Sequence, residues 1–308
     1  MEYWEGGCTV EASWLCGLVD IGSNTIRGVI YQVKGSQFQE VASRCDFASL
    51  ITFVEHDLLT SEGCIVLSES LGRMASFFVA HHCQQIHCFA TASLRGIQNF
   101  PEAQQKAAEM GFQLELLSGE EEARCDFFSL LHQISVPTGV GLDLGGGSGQ
   151  LFCFTEGQLR EHISRPIGVS AMKKRFSASS DPGWEAAMSL CAFVQEQLAA
   201  AVSFKQYAGL RIYGMGGSLR AAVHTSRILW GVDSAPVLTV EQLTALFQAL
   251  RTLEGRSAAL QADADRLPTL GSGLLVLKTI CEYMGAAEIE FVDSSVREGY
   301  LWKNIIKQ

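Results

Sequence analysis

Leu18-Val19-Asp20-Ile21-Gly22-Ser23-Asn24-Thr25 returns in altered form as Gly141-Leu142-Asp143-Leu144-Gly145-Gly146-Gly147-Ser148. In each copy an apolar strand reaches an Asp and passes at once into glycines and small hydroxyl or amide residues. Glycine lets the backbone turn tightly and bring several N–H groups close to an anion. An Asp at a strand end can hold Mg²⁺ or orient water there. One copy is an ordinary turn. Two copies, about one small domain apart, predict two related halves closing on one phosphate-bearing ligand.

Around the first copy, residues 16–33 read as strand, loop and strand, and 37–43 as a third strand after the turn Lys34-Gly35-Ser36. Residues 45–63 read as a loop with a short helix. Apolar residues at helical spacing (Leu71, Met74, Ala75, Phe78, Val79) predict a helix over 68–82. A strand over 86–90, a helix over 101–110 stopped by Gly111, a strand over 113–117 and a helix from 118 to 132 follow. The second half restarts at 136–139. It repeats the strand, loop and hairpin, with Glu156-Gly157 as the turn, and continues with helices over 184–204, 240–253, 272–284 and 297–306. Strands fall at 211–213 and 288–292, and Gly214-Met215-Gly216-Gly217-Ser218 opens another helix. Each half starting on a hairpin predicts α/β halves with mixed sheets rather than a purely doubly wound fold.

The bulk properties narrow the function. A chain of 308 residues, 47% hydrophobic, can bury two modest cores. A formal net charge of −10 argues against nucleic acid and anionic lipid as partners. Residues 1–14 carry Glu2, Glu5 and Glu11, no Lys or Arg and no apolar run, which is no secretory signal. With no stretch of about 18 uncharged apolar residues, the expectation is a cytoplasmic protein away from membranes. The ten cysteines form no C-x-x-C pair and several sit in apolar contexts, so they read as small hydrophobes. His81, His82, Cys83, His87 and Cys88 lack a zinc spacing.

Six segments in order resemble the exopolyphosphatase/guanosine pentaphosphate phosphohydrolase (Ppx/GppA) family of the actin-like superfamily. They are Asp20-Ile21-Gly22-Ser23-Asn24-Thr25, Ala90-Thr91-Ala92-Ser93-Leu94-Arg95, Ser118-Gly119-Glu120-Glu121-Glu122-Ala123-Arg124, Asp143-Leu144-Gly145-Gly146-Gly147-Ser148, Gly214-Met215-Gly216-Gly217 and Arg297-Glu298-Gly299. The resemblance implies the short form with two actin-like (ribonuclease H-like) domains, 1–128 and 129–308, with an interdomain cleft and the last helix packing back on the first domain. It implies Mg²⁺- or Mn²⁺-dependent release of orthophosphate from polyphosphate or from the 5′-triphosphate of guanosine pentaphosphate. A homodimer is compatible with it.

The resemblance also distributes roles. Glu122 matches the general base, although acids are favoured at any helix start by the dipole. Arg95 matches a cleft arginine gripping phosphate oxygens, against a plain surface arginine. Asp143 and Asp20 become the metal or water-positioning carboxylates, against loop Asp residues bonding their own backbone. Gly22, Ser23, Asn24, Thr25, Gly145, Gly146, Gly147 and Ser148 line the phosphates. Gly216 and Gly217 offer a helix N-terminus to an anion, and Arg297 completes the binding set; both are equally readable as structural. Two departures stand out. Where the family continues Ser-Thr-Glu this chain has Ser148-Gly149-Gln150, so Gln150 takes the third metal position without the charge that suits a hard cation. Residues 45–57 lack the family's arginine and glycine pattern. Lys173-Lys174-Arg175, with Arg165 upstream, is either a landing strip for a polyanion or a solvated helix face.

Two rival readings follow. Gln150 motivates a weakly active or inactive polyphosphate or alarmone sensor, for which Gln150→Glu should restore hydrolysis. An ATP-using kinase of the same superfamily is permitted by the fold, but the Glu122-Ala123-Arg124 and Arg297-Glu298-Gly299 motifs disfavour it.

Overall fold

A computed structural model describes residues 12–176, 183–199, 202–231 and 236–306. Residues 1–11 with Cys8, and residues 200–201 of the helix expected over 184–204, lie outside the described residues. The first half begins with an antiparallel meander, β1 (Trp14–Ile21), β2 (Ile26–Lys34) and β3 (Gln37–Asp46). A 3₁₀ turn (Leu50–Phe53) and the hairpin β4 (Val54–Glu55) and β5 (Leu58–Leu59) lead into α1 (Ser61–Ala80). Then come β6 (Gln85–Ala90), α2 (Ala92–Arg95), α3 (Phe100–Glu109), β7 (Leu114–Leu116) and α4 (Gly119–Gln133).

The second half repeats the meander as β8 (Gly139–Leu144), β9 (Gly149–Thr155) and β10 (Gln158–Arg165). It continues through α5 (Val169–Phe176), α6 (Trp184–Ala199), β11 (Ile212–Met215), α7 (Gly217–Trp230), β12 (Val237–Thr239), α8 (Val240–Ala249), α9 (Leu253–Ala262) and α10 (Leu267–Met284). β13 (Glu288–Phe291), α11 (Val296–Tyr300) and a π turn (Leu301–Ile305) follow.

The two sheets share one plan. The first runs β3-β2-β1-β6-β7 and the second β10-β9-β8-β11-β13, with β12 added antiparallel at its edge. In each, the two hairpin pairings are antiparallel and the next two pairings parallel. The α/β fold with mixed sheets is therefore as the sequence predicts. β1 is central and apolar on both faces. Val19 and Ile21 enter the core beneath α1, whereas Cys16 and Leu18 join the core containing Val296, Tyr300 and Leu301 of the C-terminal segment. β3, an edge strand, is mostly exposed, as its polar residues require.

Local chemistry sets the helix starts. Thr60 caps α1, its Oγ1 accepting from the Gly63 N–H at 3.2 Å, so this helix begins seven residues before the apolar periodicity shows it. Among the described residues α1 is the helix long and apolar enough to cross a membrane, yet Leu67, Leu71, Met74 and Phe78 are sealed in the first-half core. The expected 240–253 helix stops at Ala249, and α9, absent from the sequence reading, starts after Thr252, whose Oγ1 caps it by accepting from the Gly255 N–H at 3.0 Å. α10 starts at Leu267, with Pro268 in its first turn where no N–H is needed. The sequence reading also omits α5 and β12.

α11 reaches α4 through Gly299. A Cβ there would lie 1.7 Å from the Cys125 carbonyl oxygen. Gly299→Ala must push the two helices apart. It should cost about 2–3 kcal/mol, measurable as a lower urea midpoint with an unchanged slope.

Candidate active site

A cleft of about 850 Å³ opens between the two halves. Its walls include Gly22, Ser23, Asn24 and Thr25 from the β1–β2 loop and Gly145, Gly146, Gly147 and Ser148 from the β8–β9 loop. Asp20, Asp143, Glu122, Gly216, Gly217 and Arg297 also face it. The structure thus gathers most of the residues singled out in the sequence. The loops touch: a Cβ on Gly147 would stand 2.3 Å from Ser23 Oγ. Gly216 has φ +99°, and a Cβ there would meet Asp143 Oδ1 at 2.9 Å, so only glycine lets the start of α7 approach this carboxylate.

The start of α4 separates its acids. Glu121 closes a capping box: its carboxylate accepts from the Ser118 N–H at 2.8 Å while Ser118 Oγ accepts from the Glu121 N–H at 3.1 Å. Glu120 takes two N–H donors of Arg124. Glu122 turns inward and is 5% exposed. Burial pushes its carboxyl up to about 7, against the opposing pull of Arg95 and with the help of Asp143 and Asp20. Arg297 Nη1 donates to Asp20 Oδ2 at 2.9 Å. Asp143 is raised to about 6, by burial first and then by the charge of Asp20.

Two expectations need correction. Arg95 is not on the cleft wall. Its Nε donates to the Leu117 carbonyl at 3.1 Å, Nη1 to Ser164 Oγ at 3.2 Å, and Nη2 to the Glu122 carboxylate. α2 ends beside the start of α4, so the guanidinium grips Glu122 from behind instead of reaching a phosphate. Gln150 is fully buried and also off the wall. Its Nε2 donates to Ser148 Oγ at 2.7 Å and Ser164 Oγ at 3.1 Å. The Nε2 side of the amide supports the loop, while Oε1 is buried without a hydrogen-bond partner. Asp20, committed to Arg297, is likewise a poor second ligand. Among the described residues no three His, Cys, Asp or Glu side chains converge on a metal site. Asp143, on the cleft wall, fits Mg²⁺, which commonly takes one or two carboxylates and completes its shell with phosphate and water oxygens.

Residues in and beneath the site escape the sequence reading, among them Arg27, Arg266 and the buried Asp126. Arg27 lines the cleft opposite Asp20 in the β1–β2 register; the short hairpin loop was the available signal. Arg266, before α10, packs on Gly217, with no sequence signal. Asp126, one turn beyond Glu122, is fully buried and neither carboxylate oxygen has a hydrogen-bond partner. Burial, then the charges of Asp143, Glu122, Asp20 and Glu298, pushes its carboxyl well above the usual range. The folded state therefore binds a proton that the unfolded state releases above about pH 4, and stability falls as pH rises. Asp126→Asn removes this penalty. It should raise stability by about 1–2 kcal/mol at neutral pH and leave it little changed near pH 3, as read from urea unfolding at both pH values.

The pattern that defines the Ppx/GppA phosphatase family matches residues 29–308. The chain belongs to that family. Membership bears out the resemblance and the hydrolase reading. Exopolyphosphatase 1 of Mycobacterium tuberculosis is 23% identical over 310 residues, covering 94% of this chain and 88% of its own. A Ppx/GppA family member from Aquifex aeolicus superposes with a TM-score of 0.77 at 21% identity, over 96% of this chain and 98% of that one. An exopolyphosphatase from Cytophaga hutchinsonii superposes with a TM-score of 0.81 at 16% identity, over 94% and 96%. These superpositions establish the shared fold.

Proposed function

We propose that this Ppx/GppA protein hydrolyses terminal phosphoanhydride bonds of inorganic polyphosphate, releasing orthophosphate, and that the 5′-triphosphate of guanosine pentaphosphate meets the same chemistry. The observation that carries this reading is Glu122: a buried carboxylate, raised to about 7, facing a cleft walled by two glycine loops. A base with that affinity both takes and releases a proton near neutrality. Exopolyphosphatase relatives that span most of the chain support the substrate class.

The chain's groups divide the work. The loops and arginines of the cleft wall, Arg27, Arg266 and Arg297 among them, bind and orient the anionic chain end. Glu122 accepts the proton of the attacking water while Arg95 holds its carboxylate in place. The P–O bond to the leaving phosphate breaks, and the shortened chain departs as an anion. Bound at Asp143, Mg²⁺ or Mn²⁺ would supply positive charge against the phosphoryl oxygens.

The test is incubation with long-chain polyphosphate and, in parallel, guanosine pentaphosphate, each with Mg²⁺. Orthophosphate should accumulate while the polymer shortens from its ends. Internal cleavage, or transfer from ATP to a sugar without hydrolysis, would contradict the proposal.

A further inference from the structure

No residue of the basic cluster Arg165, Lys173, Lys174 and Arg175 lines the cleft. Arg175 lies over the Phe193 ring at 4.1 Å, and Arg165 Nε donates to the Gln197 carbonyl at 3.0 Å. Both serve the packing of the second half. Lys174 instead leaves its own half. Its Nζ donates to the Ile51 carbonyl at 3.1 Å and the Val54 carbonyl at 2.9 Å, more than a hundred residues away in the chain.

Both ends of this bridge are tied to a glycine loop. On the first-half side, the Ser49 N–H donates to the Asn24 carbonyl at 2.8 Å and the Ile51 N–H to the Ser23 carbonyl at 3.1 Å. Ser49 Oγ also donates to Asn24 Oδ1 at 3.2 Å. On the second-half side, α5, which follows β10, seats its first turn on the other loop. The Val169 N–H donates to the Gly145 carbonyl at 3.0 Å, and the Ser170 and Ala171 N–H groups donate to the Gly146 carbonyl at 2.9 and 3.0 Å. A continuous path therefore runs from residues 23–24 through the 49–54 turn, across Lys174, and along α5 to residues 145–146.

We propose that Lys174 is a positioning residue: a latch between the halves that sets the distance between the two glycine loops and so fixes the affinity of the cleft for a phosphate chain end. An ammonium group is suited to this task because its donors can serve two carbonyls at once. Its action is local to the terminal phosphate, so short and long chains feel it equally. A landing strip would act differently, favouring long polyanions and weakening steeply with salt. The inference rests on the cleft being the phosphate site, but its structural arm does not.

The experiment compares Lys174→Met and Lys174→Arg with the parent chain. In the ligand-free proteins, amide hydrogen exchange over residues 49–54 and the 22–25 loop should speed up at least about tenfold in Lys174→Met, with Lys174→Arg near the parent. For hydrolysis, Lys174→Met should raise KM for tripolyphosphate and for long-chain polyphosphate by a similar factor, about five- to tenfold, with kcat changed less than twofold. Unchanged exchange at 49–54 would overturn the latch whatever the enzyme acts on. A KM increase confined to long chains and erased by salt would overturn it in favour of the landing strip. If no variant or parent protein releases phosphate, the functional reading fails while the exchange result still decides the latch.

Discussion

Glu122→Gln should lower orthophosphate release by about 10²–10⁴-fold, the usual contribution of a positioned general base, while leaving the fold intact. Glutamine keeps the volume and can still accept from Arg95, so the buried pocket at the start of α4 is not emptied. What it loses is the ability to take a proton from water. The parent enzyme should therefore gain activity as pH rises through about 7, where Glu122 ionises, and the variant should lack that limb. Binding of polyphosphate should persist in the variant. A variant that folds, binds and turns over at the parent rate would remove Glu122 from the mechanism.

Arg95→Ala has the second large effect, and its sign separates two roles. Arg95 opposes the burial that raises Glu122. Without it the carboxyl rises further, by about one unit or more, and the base is protonated at neutral pH. Activity at pH 7 should fall at least about tenfold and return in large part near pH 9, because the acidic limb has moved upward. The salt bridge is mostly buried, with side-chain exposures of 25% and 7% for Arg95 and Glu122, so stability should also drop. The loss is limited because Glu122 can neutralise itself by taking a proton. An arginine that bound phosphate directly would behave otherwise: KM would climb and the pH limb would stay where it was.

The repeated Asp-glycine stretch made the architecture legible because it lies where strand, hairpin and loop meet. Fixing Asp20 and Asp143 at strand ends fixes β1, β2, β8 and β9 around them. Elements carried by capping were less visible: Thr60 starts α1 seven residues before its apolar period, and Thr252 starts α9, which the sequence reading lacks. The site was legible wherever a residue sits in a loop of the cleft. It was misread where neighbours in space decide direction. The Ala92–Arg95 helix aims Arg95 at Glu122, and the β9–β10 pairing sets Gln150 opposite Ser164. Asp126 was hidden because one acid in the middle of a helix reads as solvent-facing, and only the packing of α4 reveals it as buried. At Gln150 the sequence could not show that the two ends of the amide differ: Nε2 belongs to the Ser148–Ser164 support of the loop, and Oε1 has no hydrogen-bond partner.

The central claim is attack of water on the terminal phosphorus of the chain, and the measurement closest to it is the first turnover of tripolyphosphate in ¹⁸O-water. The account predicts one solvent oxygen in the orthophosphate and none in the pyrophosphate, at a rate that collapses in Glu122→Gln. Orthophosphate without solvent label, or no release by folded protein supplied with Mg²⁺, would contradict it.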